Sequence, residues 1–463
     1  MKRALVLTAL LAIVAVSGAL AYRSAARDRS YRLLLTSGEA ALASDDTLAA
    51  IEDFSGAVAV RPDAMLARLR RGETYFRRGD LDPAARDFRA AASLDPTATR
   101  PLESLADVLY AQERFRRAAE TYEERLKLDD RTAPIRYRLA LARYRDGAVD
   151  VALAEARRAI ALDEQLADPY YLVALCLKDR GDLDEAVVAF KQAIERSPAL
   201  LPAREELADM FASSGRINDQ IEQLQALAAL DNNRAERQIA IGMAQAHAGN
   251  TDLAIATLTA TLTRAPDQSP VNAALGGIWL QIAGERHESA ALGKALEALE
   301  RAASALTATS ETKALYGRAL ALAGQFDAAE QVFQQAAERF PVDSSALRQL
   351  SLVAEQLGHA EVARTALTEF VSLSPSDANT AEDAARIGTL SLQLHDAAGA
   401  LPWLQHAVED RPDDPGALSA MADAQFQTGD AAAARLTLNR AMALDPLNKQ
   451  VVVVDRKLRK AGV

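Results

Sequence analysis

The chain repeats itself every 34 residues. Gly79–Pro96 reads GDLDPAARDFRAAASLDP and Gly181–Pro198 reads GDLDEAVVAFKQAIERSP, with start points 102 residues, or three periods, apart. A period of this length constrains the fold more than composition does. Each unit is one supersecondary element that cannot bury its apolar face alone, so it must stack on its neighbours. With the closing Pro set at place 32, units fall at 31–64, 65–98, 99–132, 133–166, 167–200, 201–234 and 235–268 without a slip. Four more follow at 310–343, 344–377, 381–414 and 415–448, and an eighth unit, 269–309, carries about seven extra residues.

The fixed places have a common physical logic. Place 8 is small (Gly38, Gly72, Ala106, Ala140, Ala174, Gly317) and place 20 is mostly Ala (Ala50, Ala84, Ala118, Ala186, Ala329). Two helices approach closely only where side chains are small. Place 24 is large (Phe54, Phe88, Tyr122, Phe190, Phe333) and fills the groove between elements. Place 15 is often Gly (Gly79, Gly181, Gly358), which accepts the left-handed conformation that ends a helix. Place 32 is often Pro (Pro62, Pro96, Pro198, Pro375), which cannot continue one. Each unit therefore reads as helix, tight turn, helix, stop. An aromatic content of 5% alongside abundant Ala and Leu agrees with closely packed helices.

Small residues at places 8, 20 and 27, large apolar residues at place 24 and Pro at place 32 resemble the tetratricopeptide repeat family over residues 31–448. The departures are local: Arg125 and Phe370 at place 27 and Gln220 at place 20. The resemblance implies an all-α, right-handed α-solenoid of about twelve helix-turn-helix repeats. The expected organisation is an anchor or signal at 1–22, a short linker at 23–30 and repeats 1–7 at 31–268. Repeat 8 with its insertion follows at 269–309, repeats 9–12 at 310–448 and a C-terminal capping helix at 449–463. The insertion reads as a tolerated surface loop, or as a joint between two runs of repeats.

The N-terminus is of another kind. After Lys2 and Arg3 no charge appears until Arg23, and the apolar run Ala4–Tyr22 is about long enough to cross a bilayer core as a helix. It reads as a retained anchor, or as a signal cleaved after Ala21 within Ala19-Leu20-Ala21. The expected location is a bacterial cell envelope, with the chain membrane-anchored by this helix or exported. Arg23, Arg27, Arg29 and Arg32 rival Lys2 and Arg3, so no orientation follows.

The residues offer little for catalysis. His247, His287, His359, His395 and His406 form no metal-ligand spacing, and Cys176 is the only cysteine. No phosphate-cradling glycine motif is present, and a net charge of −11 gives nucleic acid nothing to meet. The expectation is a non-enzyme without cofactor or metal that binds protein partners.

The family resemblance places residues 2, 5, 9, 12 and 13 of each unit on a concave groove. There the chain carries acids (Glu39, Glu73 and Asp107 at place 9, Glu103 at place 5) beside aromatics (Phe76, Tyr110 and Tyr144 at place 12, Tyr137 and Tyr171 at place 5). Carboxylates for Lys or Arg and rings for their stems suit a basic, partly apolar peptide segment; alternatively the rings support packing. These places lack the Lys and Asn or Arg of chaperone-tail clamps. The functional expectation is an envelope scaffold for secretion, polysaccharide export or complex assembly. Its alternatives are a co-chaperone-like factor capturing unfolded clients and a regulatory subunit of a separately encoded enzyme.

Overall fold

The computed structural model describes residues 2–266, 268–374 and 380–462, with side chains from Val14 onward except at position 380. Among these residues every regular element is an α-helix. They divide into two compact units, Met1–Arg216 and Ile217–Val463.

The first unit holds α1 (Lys2–Ala43), α2 (Thr47–Val60), α3 (Met65–Arg77), α4 (Leu81–Leu94), α5 (Thr99–Ala111) and α6 (Phe115–Leu128). It continues with α7 (Ala133–Arg145), α8 (Val149–Leu162), α9 (Ala167–Arg180), α10 (Leu183–Arg196) and α11 (Leu201–Ser213). The second unit holds α12 (Ile217–Leu230), α13 (Ala235–His247), α14 (Thr251–Arg264), α15 (Ser269–Arg286), α16 (Ser289–Ala303), α17 (Ser310–Leu322) and α18 (Phe326–Ala337). It is completed by α19 (Ser344–Leu357), α20 (Ala360–Leu373), α21 (Thr380–Gln393), α22 (Ala397–Asp410), α23 (Pro415–Gln427), α24 (Ala431–Leu444) and α25 (Lys449–Lys460). The fold is an α-solenoid: within each unit the helices pair as first and second helices of a repeat, and each such pair packs on the next. The division between units falls inside the repeat that carries Gln220 at place 20, not at the insertion.

The recurrent places act within the repeat. The place-24 ring lies on the place-8 backbone of its own pair, and a β-carbon built on Gly38 would stand 2.6 Å from Phe54. Place 24 therefore closes its own helix pair as well as filling space between pairs. At place 15 the backbone conformation recurs even where the residue type does not. Gly79 and Gly181 both have φ +84°, while Asp45, Glu113 and His395 hold the same place at φ +62°, +59° and +60°. Pro375 lies outside the described residues.

Two expectations need correcting. Residues 23–30 are not a linker; they belong to α1, which runs unbroken for 42 residues because nothing between Ala19 and Ser37 is Gly or Pro. Packing on α1 begins at Tyr31, which joins Ala57 and Ala67 in a buried cluster and lies beneath Arg61 at 5.2 Å. The insertion in repeat 8 is not a surface loop. It lengthens α15 to 18 residues, and Ile282 and Ala283 bury the added turn against Ala291 before His287 ends the helix at φ +54°.

No helix among the described residues is long and apolar enough to cross a membrane. The side chains of residues 4–13, half of the expected anchor, lie outside the described ones. At the other end α25 buries Val451, Val454 and Leu458 against the last repeat.

Candidate interaction groove on the first helices

First helices of successive repeats touch one another, α3 with α5 and α7 with α9 in the first unit, and α13 with α15 and α15 with α17 in the second. Successive second helices make no comparable contact among the described residues. The face lined by first helices is therefore the inner side of each stack, where a partner segment would meet several repeats at once.

The acidic residues stand on this face of the first unit, but they are already paired. Arg70 on α3 lies 3.5 Å from Glu39 of the preceding repeat and 3.0 Å from Glu73 of its own helix. Arg100 on α5 reaches back to Glu73 at 3.1 Å. Arg138 on α7 spans Glu103 at 2.9 Å and Asp107 at 3.0 Å, and the Tyr122 hydroxyl also donates to Asp107. Burial above all, and then the Asp107 carboxylate, pushes the Tyr122 phenol well above its ordinary range. The expected open ladder of carboxylates is thus a chain of ion pairs from repeat to repeat. The partners sit one period ahead, where a reading of acids alone does not look. Each pair is part-exposed and adds about 0–1 kcal/mol, so the pairs' main effect is to neutralise the face.

The aromatic residues form a more continuous feature. Tyr110 meets Phe115 edge-on with centroids 5.2 Å apart, and Tyr171 lies 5.8 Å from Phe190. Tyr137 stands between Tyr110 and Tyr171, close enough to feel both. Tyr137, Tyr144 and Tyr171 pack half-buried against the core of the fourth and fifth repeats beside Leu141 and Leu175. Burial, followed by the carboxylate of Asp168, pushes the Tyr137 hydroxyl up to about 12. Tyr144 is raised by burial and by donating to Asp179. The rings therefore support packing and still offer one edge to solvent. Phe76 is exposed one repeat before Tyr110.

The second unit holds a feature the sequence reading missed. A hollow of about 560 Å³ opens on α13, α15 and α17, lined by Ile239, Met243, Ala273, Gly277, Ile278 and Leu315. Ile239 and Ala273 occupy place 5 and Met243 and Gly277 place 9, so the same places that carry acids in the first unit carry small and apolar residues here. Three acids toward the C-terminus are spent on local structure. Asp414 caps α23, Asp396 caps α22 while pairing with Arg364, and Asp423 pairs with Lys457.

No cluster of three or more His, Cys, Asp or Glu suited to a metal occurs among the described residues. Cys176 is fully buried, and desolvation pushes its thiol up to about 12. His359 is committed to Glu330 at 2.9 Å.

Sequence profiles described as tetratricopeptide repeat match residues 35–99, 104–167 and 316–378, residues 167–200, and residues 391–452. No curated protein matches the chain. Among solved structures, a tetratricopeptide repeat protein from Parabacteroides merdae is 17% identical at a TM-score of 0.41, the match covering 53% of this chain and 98% of that one. The APC/C hetero-tetramer Cut9–Hcn1 gives 14% identity and 0.33 over 92% of this chain and 96% of that one. YrrB, described as a TPR protein with an unusual peptide-binding site, gives 19% and 0.34 over 40% and 96%.

Proposed function

Because the chain belongs to the tetratricopeptide repeat family, we propose that it is a non-catalytic scaffold that holds a segment of a partner protein along its first helices. The observation that carries this reading is the row Tyr110, Tyr137 and Tyr171 on α5, α7 and α9, three successive first helices with half-buried rings. Rings fixed by the core lose little freedom on binding and present apolar edges to a partner's side chains. The paired acids shape the chemistry of that partner. A basic side chain gains Glu103 and Asp107 only by displacing Arg138, so apolar contacts supply most of the affinity and charge sets the register.

Replacing Tyr110, Tyr137 and Tyr171 together by Ala, with helicity checked by circular dichroism, is expected to abolish capture of a stoichiometric partner from the native host. Unchanged capture by the folded triple variant removes the reading. A second reading, capture of apolar unfolded clients, is favoured by the hollow around Met243 and Leu315. Suppression of client aggregation that is insensitive to salt distinguishes it.

For location we propose the cell envelope. Support comes from the charge-free run Ala4–Tyr22 and from Val14, Val16, Leu20 and Tyr22, which stand exposed on α1 with no repeat packed over them. Fractionation with N-terminal sequencing separates a retained anchor from a signal removed after Ala21. Recovery of the intact chain in the cytosolic fraction rejects both.

A further inference from the structure

Four arginines crowd one stretch of α1. Arg23, Arg27, Arg29 and Arg32 are all exposed, and none has a carboxylate partner among the described residues. Asp28 is the sole acid between Val14 and Ser37, and Arg61 from the turn after α2 holds it at 3.2 Å. Asp63 in that turn adds a second carboxylate near Tyr31. With Arg61 included, five cations stand against two acids, a positive surplus in a chain whose net charge is −11.

The surplus encircles the helix. At about 100° per residue, Arg32 stands half a turn round the axis from Arg23, with Arg29 on the side of Arg32 and Arg27 on the side of Arg23. The four lie within about 14 Å along the axis, and their long stems let the guanidinium groups gather at one level. A partner protein lying along α1 would meet one side of this ring. A layer of anionic head groups crossed by the helix would meet all of it.

The neighbouring residues mark the level of such a layer. Tyr22 immediately precedes the first arginine and is 77% exposed, and Val14, Val16 and Leu20 before it are exposed too. An aromatic ring with a polar tip, set between an apolar and a cationic stretch, is the composition of a bilayer interface. The ring of arginines is also fixed to the first unit. Tyr31 is buried two residues after Arg29, and Arg61 both lies over its ring and holds Asp28. Between Ala19 and Ser37 the helix has no Gly or Pro at which to kink.

We propose that Arg23, Arg27, Arg29 and Arg32 form a collar that binds the phosphates of anionic lipid head groups, with Tyr22 at the acyl boundary. Guanidinium forks donate to phosphate oxygens bidentately, and cations beside an anionic bilayer gain from its surface potential. Because the collar and the first repeat share one helix, lipid binding holds the first unit close against the membrane instead of on a tether. The inference rests on the envelope location with the anchor retained. It does not depend on the tyrosine row.

The test uses the full chain carrying Ser30→Cys, an exposed position inside the collar, labelled with a fluorescent donor; Cys176 is buried and stays unlabelled. The chain is reconstituted into phosphatidylcholine vesicles that hold a trace of acceptor-labelled lipid, either phosphatidylglycerol or phosphatidylcholine. Energy transfer to the anionic acceptor is expected to exceed transfer to the zwitterionic one about twofold, and about 0.5 M NaCl is expected to remove most of that excess. R23Q/R27Q/R29Q/R32Q in the same labelled chain, its helicity checked by circular dichroism, is expected to float with the vesicles but to show no preference between the acceptors. Equal transfer to both acceptors without the arginine substitutions, or a preference that survives in the quadruple variant, overturns the collar and leaves the anchor standing. Failure of the labelled chain to float with the vesicles overturns the collar and the anchor together.

Discussion

The ring of Phe88 covers the backbone of Gly72 so closely that a β-carbon there would stand 2.8 Å from it. Phe88 is fully buried and has no room to retreat. Gly72→Val is expected to destabilise the chain by about 1–3 kcal/mol through overpacking, read as a fall in the denaturation midpoint. Gly72→Ala is expected to cost less, since the fifth repeat accommodates Ala174 in the same relation to Phe190. Equal stability of the Val variant and the wild type contradicts this account of the helix pair.

A second test concerns Arg71 on α3 and Asp87 on α4. The guanidinium donates two bonds of 2.7 Å to the buried carboxylate and a third to Ser55 at 3.1 Å. Its own pKa is raised, chiefly by the bond to Asp87. Asp87→Ala leaves a half-buried cation without its partner and is expected to cost about 3 kcal/mol. Arg71→Met/Asp87→Leu, which removes both charges, is expected to recover most of that loss. A double variant as unstable as the single one would show that packing, not the stranded charge, sets the cost.

These two relationships differ in how far the sequence foretells them. Gly72 and Phe88 recur at fixed places, so the contact that closes each pair is legible in the period itself. The left-handed turn is legible through Gly79 and Gly181, but Asp45, Glu113 and His395 adopt it too, because tertiary packing fixes the backbone there whatever the residue. Helix length was less legible. Ile282 and Ala283 extend α15 by the same apolar spacing that any helix interior shows, and no Gly or Pro separates insertion from helix. For the groove, Glu103 and Asp107 were found and Arg138 was not. The pair forms across 35 and 31 residues, and reading place 6 of the following repeat would have revealed it.

That pairing supports a third prediction. Arg138→Gln frees the carboxylates of Glu103 and Asp107 on the face of α5. A Lys-rich apolar peptide is expected to bind the first unit of this variant several-fold more tightly than the wild type, with the gain lost at high salt. Tighter binding that persists at high salt would mean that uncovered apolar surface, not released charge, is responsible.

Cys176 gives a fourth. Its thiol titrates near 12 in the folded chain and near 8.5 when unfolded. The folded state keeps the proton while the unfolded state loses it, so this residue lowers stability as pH rises from about 8.5 toward 12 and has no effect below. Cys176→Ala is expected to flatten the decline in stability between about pH 8 and 9, before tyrosines, with an ordinary pKa of about 10, lose most of their protons. Ellman's reagent at pH 8 is expected to find no reactive thiol until the chain is unfolded. Rapid labelling of the native protein contradicts both expectations.

The ion pairs between repeats have a mechanical side. Arg70 with Glu39, Arg100 with Glu73 and Arg138 with Glu103 each tie one repeat to the one before it. They act in parallel with the apolar seam, and they soften with ionic strength while the seam does not. Tension applied along the first unit therefore meets a stiffness that the surrounding electrolyte adjusts.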